Sequence, residues 1–518
     1  MNNLGGGSFF ILINKMYTSV FEKPIKRLEC NKMSQEQTTR RIEKVEALRE
    51  KGVLVYPDRF ETNYELYEAA LLEDGTEGVR VAGRIIGIRQ FSKFSFITIS
   101  DIQGSLQLLL KKEEVGEQSA NDFDTFFDVG DFIGVEGSMY STKTKEKTLR
   151  IEKFVLLGKA LHSLPEKWHG LSNIETRYRQ RYLDLMMTKE TKERMLTRTK
   201  LVRAIRRFLE EKDFLEVETP VLQHTSSGAL ARPFRTYHNT LDSELNLRIA
   251  PETYLKRLLV GGFTKVFEFA KCFRNEGISP QHLQEFTMVE GYAAYWSYEE
   301  TMTLMRDLLV YVLKETFHTT VMTIQGKTID FSLDWNVVSF RDLILKDTGI
   351  DIDLFPDVKD LYEETKRRNI YLEQDNIETL GRGNFIDLLY KKMCRPQIIE
   401  PIFLINHPID LSPLARANDD NPAITDRFQL VVNGAEIINA YSELVDPIEQ
   451  RRRLEAQAVL KSGGDLEAME MDEDYLLAME YGMPPISGWG IGIERLLMIL
   501  TDSDTIKDCV LFPLTKKV

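Results

Sequence analysis

The sequence predicts an α+β protein, with a small N-terminal β-barrel ahead of a larger domain that mixes strands and helices. Five short alternating segments separated by turn residues lie between Val79 and Leu157. A second alternating pair, from Phe267 to Tyr292, reads as a hairpin whose polar loop, Gly277 to Gln284, contains Gly, Ser and Pro. A chain of 518 residues is also too long for one ordinary core, so two or more domains are expected.

Composition narrows the class. A hydrophobic share of 43% and a charged share of 28% are those of a soluble globular protein. No apolar run approaches the ~18 to 20 residues that span a bilayer, so no membrane is expected as a partner. Cys30, Cys272, Cys394 and Cys509 lie far apart without Cys-x-x-Cys spacing, which argues against a zinc knuckle or disulfide framework and fits a reducing cytoplasm. A net charge of −13 does not advertise nucleic-acid binding, but affinity for phosphates depends on local patches rather than the sum.

Residues 1–37 are expected to be a disordered N-terminal extension, with Met33-Ser34-Gln35-Glu36 resembling a natural start. Thr39 to Lys51 carries Ile42, Val45 and Leu48 at helical spacing and stops at Gly52. With the barrel, this helix makes a domain over 38–157. The barrel segments are Val79–Ile85, Phe94–Ser100, Leu106–Leu110, Phe132–Glu136 and Leu149–Val155. Arg84, Arg89, Lys93, Lys111 and Lys112 interleave with Phe91, Phe94 and Phe96, cations and aromatic plates that suit unstacked RNA bases. Each phenylalanine could equally fill the barrel. Residues 158–173, with their prolines and glycines, read as a linker before a domain over 174–518. The arginines of Arg177 to Arg181 could meet phosphates or line a solvated helix. Leu196 to Glu211 is a helical pattern, and Phe214 to Pro220 a strand closed by proline.

On the hairpin's second strand Phe286, Met288, Glu290 and Tyr292 share a face, and Arg274 and Glu276 share one on the first. The resulting floor of guanidinium, carboxylates, phenol and aromatic plate, with His282 in the loop, suits a nucleotide. A solvated charged face is the alternative. Residues 306–400 mix strands and helices without a chemical motif and read as an inserted segment. Ala435 to Glu443 is a strand that puts Asn439, Tyr441 and Glu443 on one face; Glu436 joins them only across a bulge. Gly488, Gly490 and Gly492 let a ligand approach the backbone closely, and Arg495 opens the next helix, a place that suits an anion.

Phe273-Arg274-Asn275-Glu276, the loop with His282, and Glu285-Phe286 resemble motif 2 of the class II aminoacyl-tRNA synthetases. Arg274 to Ser279 followed by Glu285 to Met288 resembles the lysyl-tRNA synthetases most closely. Phe214 to Pro220 resembles motif 1, with Asp213 where glycine is usual, and Gly488 to Arg495 resembles motif 3. Phe96-Ile97, Asp101 and Leu106-Gln107-Leu108 are similar to the anticodon-binding OB-fold barrel of the aspartyl, asparaginyl and lysyl enzymes.

The resemblance implies a catalytic domain with a mixed, mainly antiparallel sheet flanked by helices, a homodimer, and a cytoplasmic enzyme that joins L-lysine to tRNA(Lys) at the expense of ATP. It implies Arg274 on the α-phosphate and the substrate carboxylate, and Arg495 on the γ-phosphate and over the adenine, which rests on Phe286. Glu276 and His282 hold the adenine edge and outer phosphates, and Glu436 binds Mg²⁺. Gly228, Glu252 and Glu290 take the α-amino end, Asn439 helps with the carboxylate, Glu443 and Tyr292 take the ε-ammonium, and Tyr441 walls the stem. Phe96 and Gln107 read the anticodon, with Glu146 as a third candidate. Gln429 stands where the lysyl family usually has a second metal carboxylate.

Overall fold

The computed structural model describes residues 32–165, 171, 173–277, 279–372, 380–462 and 469–516. The expectations for residues 1–31 and for part of the linker fall outside the described residues. The chain divides into two compact units, Met1–Ser172 and Asn173–Val518.

In the first unit, helix α1 (Lys32–Glu50) begins ahead of Thr39, inside the stretch expected to be disordered. It buries Val45 and Leu48 but leaves Ile42 exposed. Strands β1 (Val79–Gln90), β2 (Phe94–Ser100), β3 (Ser105–Lys111), β4 (Phe132–Ser141) and β5 (Lys147–Gly158) close a barrel in the order β1-β2-β3-β5-β4. Alternation along β2 buries Ile97 and Ile99 and turns Phe94 and Phe96 outward. The phenylalanines therefore do not fill the barrel. Phe91 stacks on Phe94 at 4.8 Å between centroids, Phe94 meets Phe96 edge-on at 5.4 Å, and the Arg89 guanidinium lies 5.7 Å from the Phe96 ring.

The second unit is built on an eight-stranded sheet. Its strands are β6 (Leu215–Glu216), β7 (Lys265–Phe273), β8 (Glu285–Ala294), β9 (Asn336–Ser339), β10 (Ile402–Pro408), β11 (Ile424–Val432), β12 (Ala435–Ser442) and β13 (Ile486–Gly492). They lie in the order β9-β10-β11-β12-β13-β8-β7-β6. Only the end pairs β6–β7 and β9–β10 are parallel, so the sheet is mixed and mainly antiparallel. Helices α3 (Lys189–Glu211) and α5 (Tyr298–Phe317) cover one face, where Leu201, Phe208, Met305 and Leu309 pack with Phe267, Val289, Ile438 and Trp489. Helix α4 (Glu252–Val260) packs Leu255 and Leu259 with Val266 and Tyr292 in a separate cluster.

Two elements differ from expectation. The strand read over Phe214 to Pro220 pairs as a strand only at Leu215–Glu216; Val217 N still donates to the Phe267 carbonyl at 2.9 Å, and Thr219 is then held by side chains, Glu268 and Arg248. The stretch 306–400 is not one block: residues up to Phe317 complete α5 in the main core, and β9 joins the main sheet. Phe340, Ile344, Phe385 and Leu389 then build a smaller core of their own.

Candidate active site

The sheet order makes the site. Strand β13 runs between β12 and β8, so its glycines form a row between two functional strands. Gly488 pairs with Tyr292 on one side and Tyr441 on the other, and Gly490 with Glu290 and Asn439. A Cβ at Gly488 would collide with the Tyr292 ring and the Glu443 carboxylate. Glycine is therefore required there by space.

Over this row opens a cavity of ≈ 330 Å³. It brings together every sequence-predicted residue of the second unit: Gly228, Glu252, Arg274, Glu276, His282, Phe286, Glu290, Tyr292, Glu436, Asn439, Tyr441, Glu443 and Arg495. Alternation on β8 supplies Phe286, Glu290 and Tyr292, and on β12 Asn439 and Tyr441, with Glu443 one residue past its end. Strand β7 ends at Phe273, so Arg274 and Glu276 reach the cavity from the connection rather than from a shared strand face. Glu436 reaches it because the β11–β12 register slips by one residue between Leu430 and Val431, a bulge that reorients the strand's start.

At one end of the cavity the groups are cationic and aromatic. The Arg274 guanidinium stands 5.1 Å from the Phe286 ring, and its Nε donates to the Ile249 carbonyl at 3.3 Å. Arg495 donates to the Glu436 carbonyl at 3.4 Å, and its neighbour Glu494 is locked by Arg198 and by the Thr287 amide, each at 2.8 Å. The His282 ring shares a hydrogen bond with Ser279 at 2.7 Å. Desolvation first, then Arg495, hold its imidazole pKa below the usual value, so it is neutral at physiological pH. Gln429 donates to Glu436 Oε2 at 2.9 Å.

The other end is a buried acidic pocket. Glu252, Glu290 and Glu443 are exposed by only 5%, 5% and 1%. Tyr292 donates to Glu290 at 3.0 Å and Tyr441 to Glu252 at 2.8 Å. Burial, reinforced by Glu252, pushes the Glu290 carboxyl up to about 8. Burial also raises Glu443 well above the carboxylate range, against the pull of Lys256. Gly228, at φ +89°, lies so close to Glu252 that a Cβ would sit 2.9 Å from its Cβ. Such a pocket is built for cations. Asn439 Oδ1 accepts from Arg427 at 2.9 Å, which fixes the amide's direction.

Sequence reasoning missed Lys256 and Tyr475. Lys256 Nζ donates to Glu252 at 2.5 Å and pairs with Glu443, and the Tyr475 ring lies 5.8 Å from it. Four-residue spacing from Glu252 on α4 was the available signal. On the barrel, Gln107 is buried and accepts from Thr148 at 3.0 Å; it pairs with Thr98, two residues from Phe96 on the same face. Glu146 is exposed in the β4–β5 hairpin. Among the described residues no three His, Cys, Asp or Glu side chains group as a metal site, and no helix is long and apolar enough to cross a membrane.

Comparison with known proteins agrees with this geometry. Residues 173–516 match the family model described as tRNA synthetases class II (D, K and N), and residues 79–157 match an OB-fold nucleic acid binding domain. The chain is 44% identical over 492 residues to the Lysine--tRNA ligase of Trichormus variabilis, covering 92% of this chain and 87% of that one. It is 45% identical over 453 residues to that of Aquifex aeolicus (88% and 75% covered) and 44% identical over 475 residues to that of Moorella thermoacetica (91% and 96% covered). A model that spans the whole sheet and its cavity, with relatives this similar over nearly the full length, establishes that the chain belongs to the class II tRNA synthetases of the D, K and N group.

Proposed function

We propose that the chain activates L-lysine with ATP to lysyl-adenylate and transfers the lysyl group to the 3′ end of tRNA(Lys) for translation, as the names of its relatives describe. One observation carries the choice of amino acid: three buried carboxylates, Glu252, Glu290 and Glu443, close one end of the cavity. An aspartate side chain would need a cation there and an asparagine neutral donors; only an amine suits an acidic pocket.

In the first step a substrate carboxylate oxygen bonds to the α-phosphorus, and the bond to the β-phosphate's bridging oxygen breaks, releasing pyrophosphate. Two anions must be held together in line, so positioning and cations matter more than a general base. Arg274 takes the α-phosphate and the carboxylate, helped by Asn439. Phe286 and Arg495 sandwich the adenine, and Arg495 also meets the γ-phosphate. Glu276 and His282 hold the adenine edge and the outer phosphates. Gly228, Glu252 and Glu290 take the α-amine, Glu443 and Tyr292 the ε-ammonium, and Tyr441 the aliphatic stem.

Mg²⁺, when bound, neutralises the phosphate charge. Glu436, which lines the cavity, offers carboxylate oxygens suited to such a hard cation. Phe96, turned outward on the barrel, and Gln107, buried on the same face beside it, are proposed to contact the anticodon, and the working form is proposed to be a cytoplasmic homodimer.

The test is amino-acid-dependent exchange of pyrophosphate into ATP, run with each of the twenty amino acids and repeated on Glu443→Gln. Exchange with lysine alone, strongly reduced in the variant, is expected. Exchange with aspartate or asparagine would overturn the pocket assignment, and none at all would overturn activation itself.

A further inference from the structure

Lys256 lies one helical turn after Glu252 on α4, and its side chain is completely buried. The ammonium bridges Glu252 Oε1 and Glu443 Oε2, and the rings of Tyr292, Tyr441 and Tyr475 surround it at 6.0, 5.7 and 5.8 Å. Burial opposes its charge, but the two carboxylates hold its pKa well above the ordinary value. It is a permanent cation.

Its two partners are the same carboxylates that the lysine reading assigns to the two ends of the substrate. Lys256 takes one oxygen of each, which leaves Glu252 Oε2 and Glu443 Oε1 to meet a ligand. The second of these faces the space kept open by Gly488. Charge balance agrees for the loaded site. Once the arriving ammoniums have driven the carboxyl protons off, three carboxylates against Lys256 leave two negative charges, matching the two ammonium groups of a diamino acid, while Arg274 answers the substrate carboxylate.

We propose that Lys256 is a positioning residue that ties Glu252 to Glu443, fixes the separation at which they receive the two ammoniums, and thereby sets the length of diamino acid selected. This rests on the reading of the cavity as a lysine site. Tyr441 on β12 also donates to Glu252 at 2.8 Å, but the ammonium is the group that touches both carboxylates, Glu252 on the helix and Glu443 past the end of β12.

Two variants separate the parts of the idea, with exchange measured for lysine, ornithine and ATP. Lys256→Met keeps the reach of the side chain and removes the cation. It is expected to raise the KM for lysine at least about ten-fold, the scale of a lost buried charge contact, with the KM for ATP within about two-fold. Lys256→Arg keeps the cation and carries it farther into the pocket. It is expected to shift the lysine-to-ornithine ratio of kcat/KM at least about five-fold towards the shorter substrate, since one methylene decides about ten-fold or more in such pockets.

An unmoved lysine KM and an unmoved ratio would overturn the proposal, as would lysine and ATP KM values rising in step, the mark of general loosening. Should neither single variant fold, Lys256→Met/Glu443→Gln, which removes both charges of the pair, is compared with Glu443→Gln; equal ratios would overturn it. Failure of the unmodified protein to exchange with lysine would remove the functional reading. Lysine exchange with unmoved ratios removes only the role of Lys256.

Discussion

Binding of lysine should expel a proton from Glu290. Its carboxyl is buried, and burial first, then the Glu252 charge, raise its pKa to about 8 despite the Tyr292 hydrogen bond and the Arg274 and Lys256 cations. At pH 7 a group with that pKa is about nine-tenths protonated. An arriving α-ammonium favours the carboxylate and drives the proton off. Saturating the site at pH 7 should then release about 0.9 proton from Glu290, and this share alone should lower the Kd for lysine up to about ten-fold per unit between pH 6 and pH 8, flattening above. The same shift bears on folding. The native state holds this proton up to about pH 8 while the unfolded chain releases it in the ordinary carboxylate range, so the ligand-free protein loses stability as pH rises through that window. Isothermal titration with lysine in phosphate and imidazole buffers, whose ionisation heats differ, measures the proton directly. Heats independent of buffer, together with a Kd flat from pH 6 to pH 8, would refute the reasoning. Glu290→Gln should remove its own share, about 0.9 proton at pH 7, and leave only what Glu443 contributes.

Gly488→Ala places a methyl against Tyr292 and Glu443; overpacking of this kind costs about 1–3 kcal/mol, and kcat/KM for lysine should fall about ten- to a hundred-fold with ATP binding little changed. Gln429→Glu puts a second carboxylate beside Glu436 and should lower the Mg²⁺ concentration needed for half-maximal exchange several-fold. Phe96→Ala removes an outward ring of the barrel cluster; base–aromatic stacking is worth about 1–3 kcal/mol, so the KM for tRNA should rise while lysine-dependent exchange is unchanged. Arg248→Met strands Glu268, whose carboxylate it meets at 2.6 Å with both side chains 4% exposed; breaking a buried pair costs about 3–5 kcal/mol, to be read as a drop in thermal midpoint.

The strands of the site were legible in the sequence because alternation is a local property. Phe286, Glu290 and Tyr292, like Asn439 and Tyr441, needed only a strand to share a face, and β8 and β12 are strands, with Glu443 one residue past the end of β12. Where a residue reaches the cavity by another route, alternation fails: Arg274 lies past the end of β7, and Glu436 needs the one-residue slip against β11. Element boundaries were lost for a similar reason. Helix α5 runs through residue 306 because Leu308, Leu309 and Val312 belong to the main core, a fact of packing and not of local pattern. Lys256 is the clearest case. In sequence a lysine four residues after a glutamate reads as a solvated helix pair. It becomes a buried bridge only because Tyr292 from β8, Tyr441 from β12 and Tyr475 from a helix near the C-terminus converge on it. The sheet brings the glycine row of β13 between those two strands, and the same topology that opens the cavity closes its floor around a cation. A charge so placed is held only by its pairing, and the two carboxylates that pair with it are the ones that face the ligand.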